Sequence, residues 1–326
     1  SRPGAGPSSL VARPSAHSGA LKQDWTDALR VIGVRVEEGV RQAFVDGKKV
    51  RELDEYFGGV AVVAFTPDDL AVVKGGPEVR RRFLDRAVFN RFPAFLGESR
   101  TYARALRSRN RLLREGAPAE VIEAFDPPLA RAGARIVVRR RRLLEELAPR
   151  FEEALGRLSR GQLTGALRLA PALLEGAATE AEVEARLLEA LAGRLARDRE
   201  RGHTSVGPHA DRLSIQLQGR PARTYASQGQ QRALVLAMKI AEIENLRENL
   251  GFTPLLLLDD VSSELDRERN AQLMAYLASL EGQVLLSTTD PTLVAPAAGK
   301  DARYFAVREG VFTPVERPGA GAADPV

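Results

Sequence analysis

The spacing of apolar positions changes twice along this chain, from alternation at two residues to steps of three and four, and then to a mixture of both. Val31 to Val36 alternates apolar and polar residues. Arg41 to Val50 places Asp46-Gly47 between two short extended runs, which predicts a hairpin. Val60 to Phe65 is continuously apolar and predicts a buried strand, with Thr66-Pro67-Asp68-Asp69 as the turn into a short helix. From about Pro77 to Arg201 the pattern is helical, broken at Phe92-Pro93, Gly116-Ala117-Pro118, Asp126-Pro127-Pro128 and Thr164 to Pro171. Within it Ile136, Leu143, Leu147, Phe151, Leu155 and Leu158 recur at helical steps, as do Val183, Leu187, Leu191 and Leu195, so two long amphipathic helices are expected to pair into an antiparallel arm.

After Gly202 strands and helices alternate. Leu213 to Leu217 predicts a strand, Ser227 to Leu250 a long helix ended by Gly251, Leu255 to Leu258 a buried strand, Arg267 to Leu280 a helix, and Val284 to Ser287 another buried strand. That order argues a parallel sheet with helices on its faces. The expected organisation is a low-complexity segment over 1–27, a first α/β lobe over 28–90, a helical arm over 91–201 and a second α/β lobe over 202–326. Ser1 to about Gln23 is rich in Ser, Pro, Gly and Ala and is expected to stay unstructured.

Composition narrows the classes. No apolar run approaches the roughly 20 residues that cross a bilayer, so no membrane-spanning function is expected. The absence of cysteine excludes disulfides and thiolate metal sites. Of 48 basic residues only six are lysine, and Arg80 to Arg142 carries 17 basic and six acidic residues, a net charge of +11 against −6 for the rest. A focus of this kind suits a polyanion, whose phosphates arginines neutralise, and equally an arginine-rich solvated helix surface. Arg139 to Arg142 occupy all sides of a helix, so some of them must be solvated or salt-bridged. Aromatic residues are only 6% of the chain, which favours backbone contact over base stacking.

Two motifs carry chemistry. Leu255-Leu256-Leu257-Leu258-Asp259-Asp260 ends an apolar strand in two carboxylates, and the carboxyl end of a parallel strand is where ligands collect. One acid can hold a divalent cation while its neighbour acts on a water; a polar turn after a strand is the plainer reading. Ala226-Ser227-Gln228-Gly229-Gln230-Gln231-Arg232 opens the helix that feeds that strand. Ser227 and Gln230 form a capping box, and a helix start with free N–H groups, a hydroxyl and a glycine is also an anion site.

Together, and followed at once by Ser262-Ser263-Glu264-Leu265-Asp266, these motifs resemble the signature motif, Walker B segment and D-loop of ABC-type ATPases. With Thr204-Ser205-Val206-Gly207-Pro208-His209-Ala210-Asp211, Pro67-Asp68-Asp69-Leu70-Ala71-Val72-Val73-Lys74-Gly75-Gly76-Pro77 and Arg81-Arg82-Phe83-Leu84-Asp85, the chain resembles the RecF family of bacterial recombination mediators over about Arg41 to Val315. The resemblance implies an ABC-type P-loop NTPase-like α/β head with an inserted helical arm. It implies a weak ATPase, acting in recombinational DNA repair, replication and the SOS response, that binds DNA, dimerises around ATP and Mg2+, and works in the cytoplasm with RecR and RecA. In that picture Asp259 ligates Mg2+ and Asp260 polarises the attacking water. Ser227, Gln228, Gly229 and Gln230 approach the γ-phosphate of ATP on the opposite subunit, Asp266 lies at the subunit junction, and Thr288 or Thr289 senses the γ-phosphate. Arg80, Arg81, Arg82, Arg107, Arg109, Arg111 and Arg114 would contact DNA.

Two departures stand out. His209 is followed by Ala210, Asp211 and Arg212 where the family often has Arg and two acids, which leaves both a structural and a functional role open. No Gly-x-x-x-x-Gly-Lys-[Ser/Thr] run occurs: Gly47-Lys48 and Gly299-Lys300 are the only Gly-Lys pairs, with Gln42 and Val294 where the first glycine would stand. The expectation is a relative lacking its N-terminal P-loop segment, which by itself binds ATP poorly, hydrolyses it negligibly and exposes apolar sheet surface. The alternative is a degenerate, non-catalytic homologue that binds DNA or a partner. A transporter ATPase subunit is disfavoured by the arginine-rich helical insertion.

Overall fold

The computed structural model describes residues 9–12, 30–37, 40–50, 61–170, 179–299 and 302–316. An antiparallel sheet of β1 (Ser9–Ala12), β2 (Arg30–Glu37), β3 (Val40–Val45) and β4 (Lys48–Lys49) opens the fold in sequential order. Its β3–β4 turn has positive φ at both Asp46 (51°) and Gly47 (75°), the geometry an Asp-Gly pair favours between twisted strands. The expectation of an unstructured Ser1 to Gln23 fails at Ser9–Ala12, which lies antiparallel to β2 with Leu10 opposite Ile32. Composition does not reveal that a four-residue run can satisfy its backbone on a neighbouring strand edge. The rest of that segment lies outside the described residues.

A second, parallel sheet has the order β10-β9-β5, formed by β5 (Val62–Phe65), β9 (Leu255–Asp259) and β10 (Val284–Ser287). Leu258 pairs with Phe65 and Asp259 with Ser287, so the polar ends of β9 and β10 finish side by side. After β5, a 3-10 turn (Pro67–Leu70) leads into α1 (Ala71–Lys74) and α2 (Pro77–Arg91). The long helix α8 (Gln228–Leu250) packs near β5. Ala233 to Ile243 of α8 is buried without interruption, which marks a helix enclosed on all sides. Within it Lys239 reaches Ala64 O at 2.5 Å and the Asp69 carboxylate at 3.2 Å. Burial pushes the Lys239 ammonium below the ordinary lysine range, against the pull of Glu242 and Asp69. Burial alone would raise the Asp69 carboxyl, but Lys239, the Thr66 N–H and Arg86 hold it below the usual carboxylate range. Leu285 on β10 is half exposed.

The helical region comprises α3 (Phe95–Arg114), the short α4 (Ala119–Glu123), α5 (Asp126–Leu158) and α6 (Glu180–Arg201). The break expected at Asp126-Pro127-Pro128 falls between α4 and α5, and the two prolines open α5, because proline fits the first helical turn, where N–H groups have no intrahelical acceptor. The expected antiparallel pair is present but uses only the first half of α5. Arg131 meets Glu184 and Arg135 meets Glu180 across α6. The second half packs on α8, with Arg157 bonded to Glu244 and Arg150 to Glu248. The Leu143 to Leu158 stripe therefore belongs mainly to the joint between helical region and sheet rather than to a free arm.

Thr164 to Pro171, expected as a break, contains β6 (Gly165–Ala170), antiparallel to β7 (Arg212–Leu217), which turns back into β8 (Arg220–Pro221). The short α7 (Ala222–Tyr225) then leads to α8. Beyond short 3-10 turns, α9 (Arg267–Ala278) and the hairpin of β11 (Tyr304–Arg308) and β12 (Val311–Val315) complete the described elements.

Candidate functional site

The ends of β9 and β10 bring a carboxylate pair and a hydroxyl together. Ser287 Oγ donates to Asp259 Oδ1 at 2.6 Å, and the Asp260 N–H points at Ser287 O and Oγ, both 3.2 Å away. Asp260 has φ 46°, a left-handed conformation that Asp tolerates better than most residues and that turns the chain away as soon as the strand ends. Asp259 is exposed and Asp260 half-buried. Among the described residues no three His, Asp or Glu side chains converge as a metal cage. Two adjacent carboxylates suit Mg2+, which is held by one or two acids and completes its shell with water and phosphate oxygens. Thr288 Oγ1 is tied to its own turn, donating to Asp290 O and accepting from Asp290 N, both at 3.1 Å, while Thr289 is exposed.

At the start of α8 the capping box is complete: the Gln230 N–H meets Ser227 Oγ at 3.3 Å and the Ser227 N–H meets Gln230 Oε1 at 2.8 Å. Ser227 and Gln228 are exposed, so the hydroxyl that caps the helix also faces outward. Asp266 caps α9 in the same way, accepting the Arg269 N–H at 2.9 Å, and that bond holds its carboxyl below the usual range. The Arg269 guanidinium bonds back to Asp266 and lies over Gly229, where a Cβ would stand 3.1 Å from Nη1. Arg269 thus joins the helix start at Ser227 to the segment after β9. Gln230, Asp266 and Arg269 line one cleft with Ser159, Arg160 and Gln162 from the end of α5. Sequence reasoning missed Ser287 and Arg269; the available signals were a hydroxyl at a strand end and an arginine three residues after a capping Asp.

The basic segment divides by burial. Arg109 is fully buried, bonded to Asp126 (2.7 Å), Asp198 (3.0 Å) and Thr204 (2.9 Å). Its expected DNA contact is therefore wrong, since a guanidinium locked between two buried acids cannot reach a phosphate. Arg80 donates to the carbonyls of Val72, Val73 and Leu213, tying α1 to β7, and Arg81 donates to Asp211 O at 3.1 Å; both are half-buried anchors. Arg140, also buried, holds Asp85, Asp211 and Pro208 O, while Arg139 pairs with Glu98 and Arg142 with Glu146. Arg82, Arg107, Arg111 and Arg114 remain exposed.

His209 is placed structurally. Its Nε2–H donates to Thr204 O at 2.9 Å, which leaves Nδ1 to accept from the Tyr102 hydroxyl at 2.6 Å. Burial pushes the imidazole below its ordinary value. Gly207 before it has φ 130°, and a Cβ there would come within 2.4 Å of the Tyr102 oxygen. With Pro208 and Asp211 gripping Arg140, this segment fastens the helical region to β7.

A parallel sheet whose strand ends carry adjacent acids, a long capped helix feeding that sheet and a helical insertion define an ABC-type ATPase-like α/β head. The chain is 62% identical over 288 residues to the DNA replication and repair protein RecF of Myxococcus xanthus, covering 87% of this chain and 76% of that protein. Against RecF of an Anaeromyxobacter species it is 56% identical over 310 residues, covering 94% and 84%. A solved structure of the recombination mediator protein RecF-ATPrS in the RecFOR pathway superposes with TM-score 0.79 at 28% identity, covering 89% of this chain and 77% of that one. A second, of RecF-ATP, gives 0.76 at the same identity, covering 88% and 76%. No family model matches the chain. The chain belongs to the RecF family of DNA replication and repair proteins.

Proposed function

We propose that this protein is an ATP-controlled, DNA-binding recombination mediator, with nucleotide bound between two copies of the chain. The observation that carries the reading is the outward hydroxyl of Ser227 at an amide-rich helix start, in a chain that also sets Asp259 and Asp260 on the end of a parallel strand. The α8 start and Ser227 would bind the terminal phosphate of a nucleotide held by the second copy, with Gln228, Gly229 and Gln230 shaping the approach. Asp259 would hold Mg2+, which when bound supplies charge stabilisation to the phosphate oxygens, and Asp260 would orient and deprotonate a water. Asp266, fixed by Arg269, would sit at the junction of the copies. Thr289, whose side chain faces solvent, suits a phosphate contact better than Thr288, whose hydroxyl is spent on its own turn. The sequence contains no P-loop run, so the phosphate contacts rest on the signature and strand-end residues, binding is weak, and millimolar nucleotide is needed to populate the bridged pair. A cytoplasmic setting and recognition by RecR and RecA complete the proposal. Among the described residues no helix is long and apolar enough to cross a membrane.

The test is binding of a labelled gapped duplex with and without millimolar ATP and Mg2+. Tighter binding with ATP supports nucleotide control. DNA binding indifferent to ATP leaves only the second reading, a DNA-binding module without nucleotide control, which the exposed arginines favour. No DNA binding defeats both.

A further inference from the structure

The outward face of α3 is built almost wholly of arginine. Its exposed residues are Gly97, Arg100, Thr101, Arg104, Arg107, Arg111 and Arg114. The five arginines follow one another at steps of four, three, four and three, which places them in a single stripe about 21 Å long at 1.5 Å per residue. The opposite face is anchored by Tyr102, Ala105, Arg109 and Leu113, all buried, so the stripe is held outward by packing. Among the described residues Arg111 alone of the five meets a carboxylate, Glu115 at 3.9 Å, with both side chains more than half exposed. Arg100, Arg104, Arg107 and Arg114 meet none. This sets the stripe apart from α5, where Arg131, Arg135, Arg139 and Arg142 each face a glutamate. Like charges at these spacings repel, so the helix forms against its own outward charge. The ridge ends beside α6, where a Cβ on Gly202 would lie 3.1 Å from Arg114 Cγ and the exposed Arg201 adds a further charge.

We propose that this stripe is a phosphate-backbone binding ridge for DNA, a reading that rests on the DNA-binding function proposed above and locates it. Duplex DNA rises 3.4 Å of axis per phosphate on each strand, so the ridge spans the rise of roughly six base pairs. The exposed face carries no aromatic or large aliphatic side chain that could stack on a base or anchor a protein partner. The contact is therefore independent of sequence and sensitive to salt. Arg100 and Arg104 belong to it; Arg80, Arg81 and Arg109 do not.

The experiment is polarisation binding of a labelled 30-base-pair duplex across a salt series. It compares the wild-type chain, the double variant Arg104→Gln/Arg107→Gln and a control, Arg131→Gln/Arg135→Gln, that removes the same charge from α5. The ridge variant is expected to lose affinity about tenfold or more at low salt. Its log K against log salt slope should flatten by about 0.9 for each phosphate contact removed, while the control stays close to wild type. Equal affinity and slope in the ridge variant and wild type would overturn the ridge and leave DNA binding standing. Equal losses in both variants would reduce the effect to net charge and also overturn it. A wild-type chain that binds no duplex would defeat ridge and function together.

Discussion

The two ends of this molecule use polar residues in opposite ways. In the helical region two buried arginines point inward and are neutralised by acids: Arg109 sits between Asp126 and Asp198, and Arg140 between Asp85 and Asp211. At the sheet the notable polar groups, Asp259, Ser227, Asp266 and Thr289, stand exposed on the tips of strands and helices. The difference separates residues that hold the fold from residues available to a ligand. α3 shows both uses on one helix: Arg109 looks inward and is a structural bolt, while Arg107, two residues earlier, looks outward. Like-charge neighbours at helical spacing cost about 0.2–0.5 kcal/mol each, so the outward stripe is a standing expense that folding alone does not explain.

The inward arginines are expected to be the least dispensable. Arg109→Met strands two buried carboxylates and should cost about 3–5 kcal/mol in urea unfolding; a loss under 1 kcal/mol would show that the network is not a bolt. Gly207→Ala should follow at about 1–3 kcal/mol, read as a lowered melting temperature, because a methyl group meets the Tyr102 hydroxyl at a positive φ. Ser227→Ala removes a cap worth about 1 kcal/mol, and Ser227→Thr should restore most of it. If Thr restores stability but not the response to ATP, the hydroxyl has a second task beyond capping.

His209 makes the inward packing sensitive to pH. Burial holds its folded-state value below the ordinary 6.5, so the unfolded chain binds more protons as pH drops beneath that value. The stability that the neutral ring contributes is present above about 6.5 and is lost as pH falls towards the depressed folded value. His209→Gln should therefore cost about 1 kcal/mol at pH 7.5, and the gap to wild type should narrow by pH 5.5. The smallest effect belongs to the outward stripe: Arg104→Gln/Arg107→Gln should leave stability within about 0.5 kcal/mol of wild type, or raise it slightly, while altering DNA binding.

Much of the sheet half was legible in the residues themselves. Ser227 and Gly251 bracket α8 as cap and left-handed terminator, and the apolar runs at β9 and β10 have the length and flanks of buried parallel strands. Local chemistry decided those elements, so local pattern found them. β6 was not legible, because Ala166 to Leu169 lies between two breaker clusters and becomes a strand only by pairing with β7, distant in sequence. The same holds for Arg109 and Arg140, whose partners come from other helices and loops; an arginine-rich segment looks uniformly solvated until tertiary packing selects which guanidinium is swallowed. For the candidate site, the motifs identified Asp259, Asp260 and Ser227, whereas Ser287 and Arg269, which position their neighbours, became visible only from contacts.

If the reading is right, the exposed groups at the strand and helix tips belong to a nucleotide-bridged interface between two copies of the chain. Sedimentation velocity of the wild-type chain and of Ser227→Arg, each with and without millimolar ATP and Mg2+, decides the matter. ATP is expected to shift wild type from monomer towards dimer and to leave Ser227→Arg monomeric. Identical sedimentation of both proteins with and without nucleotide would contradict it.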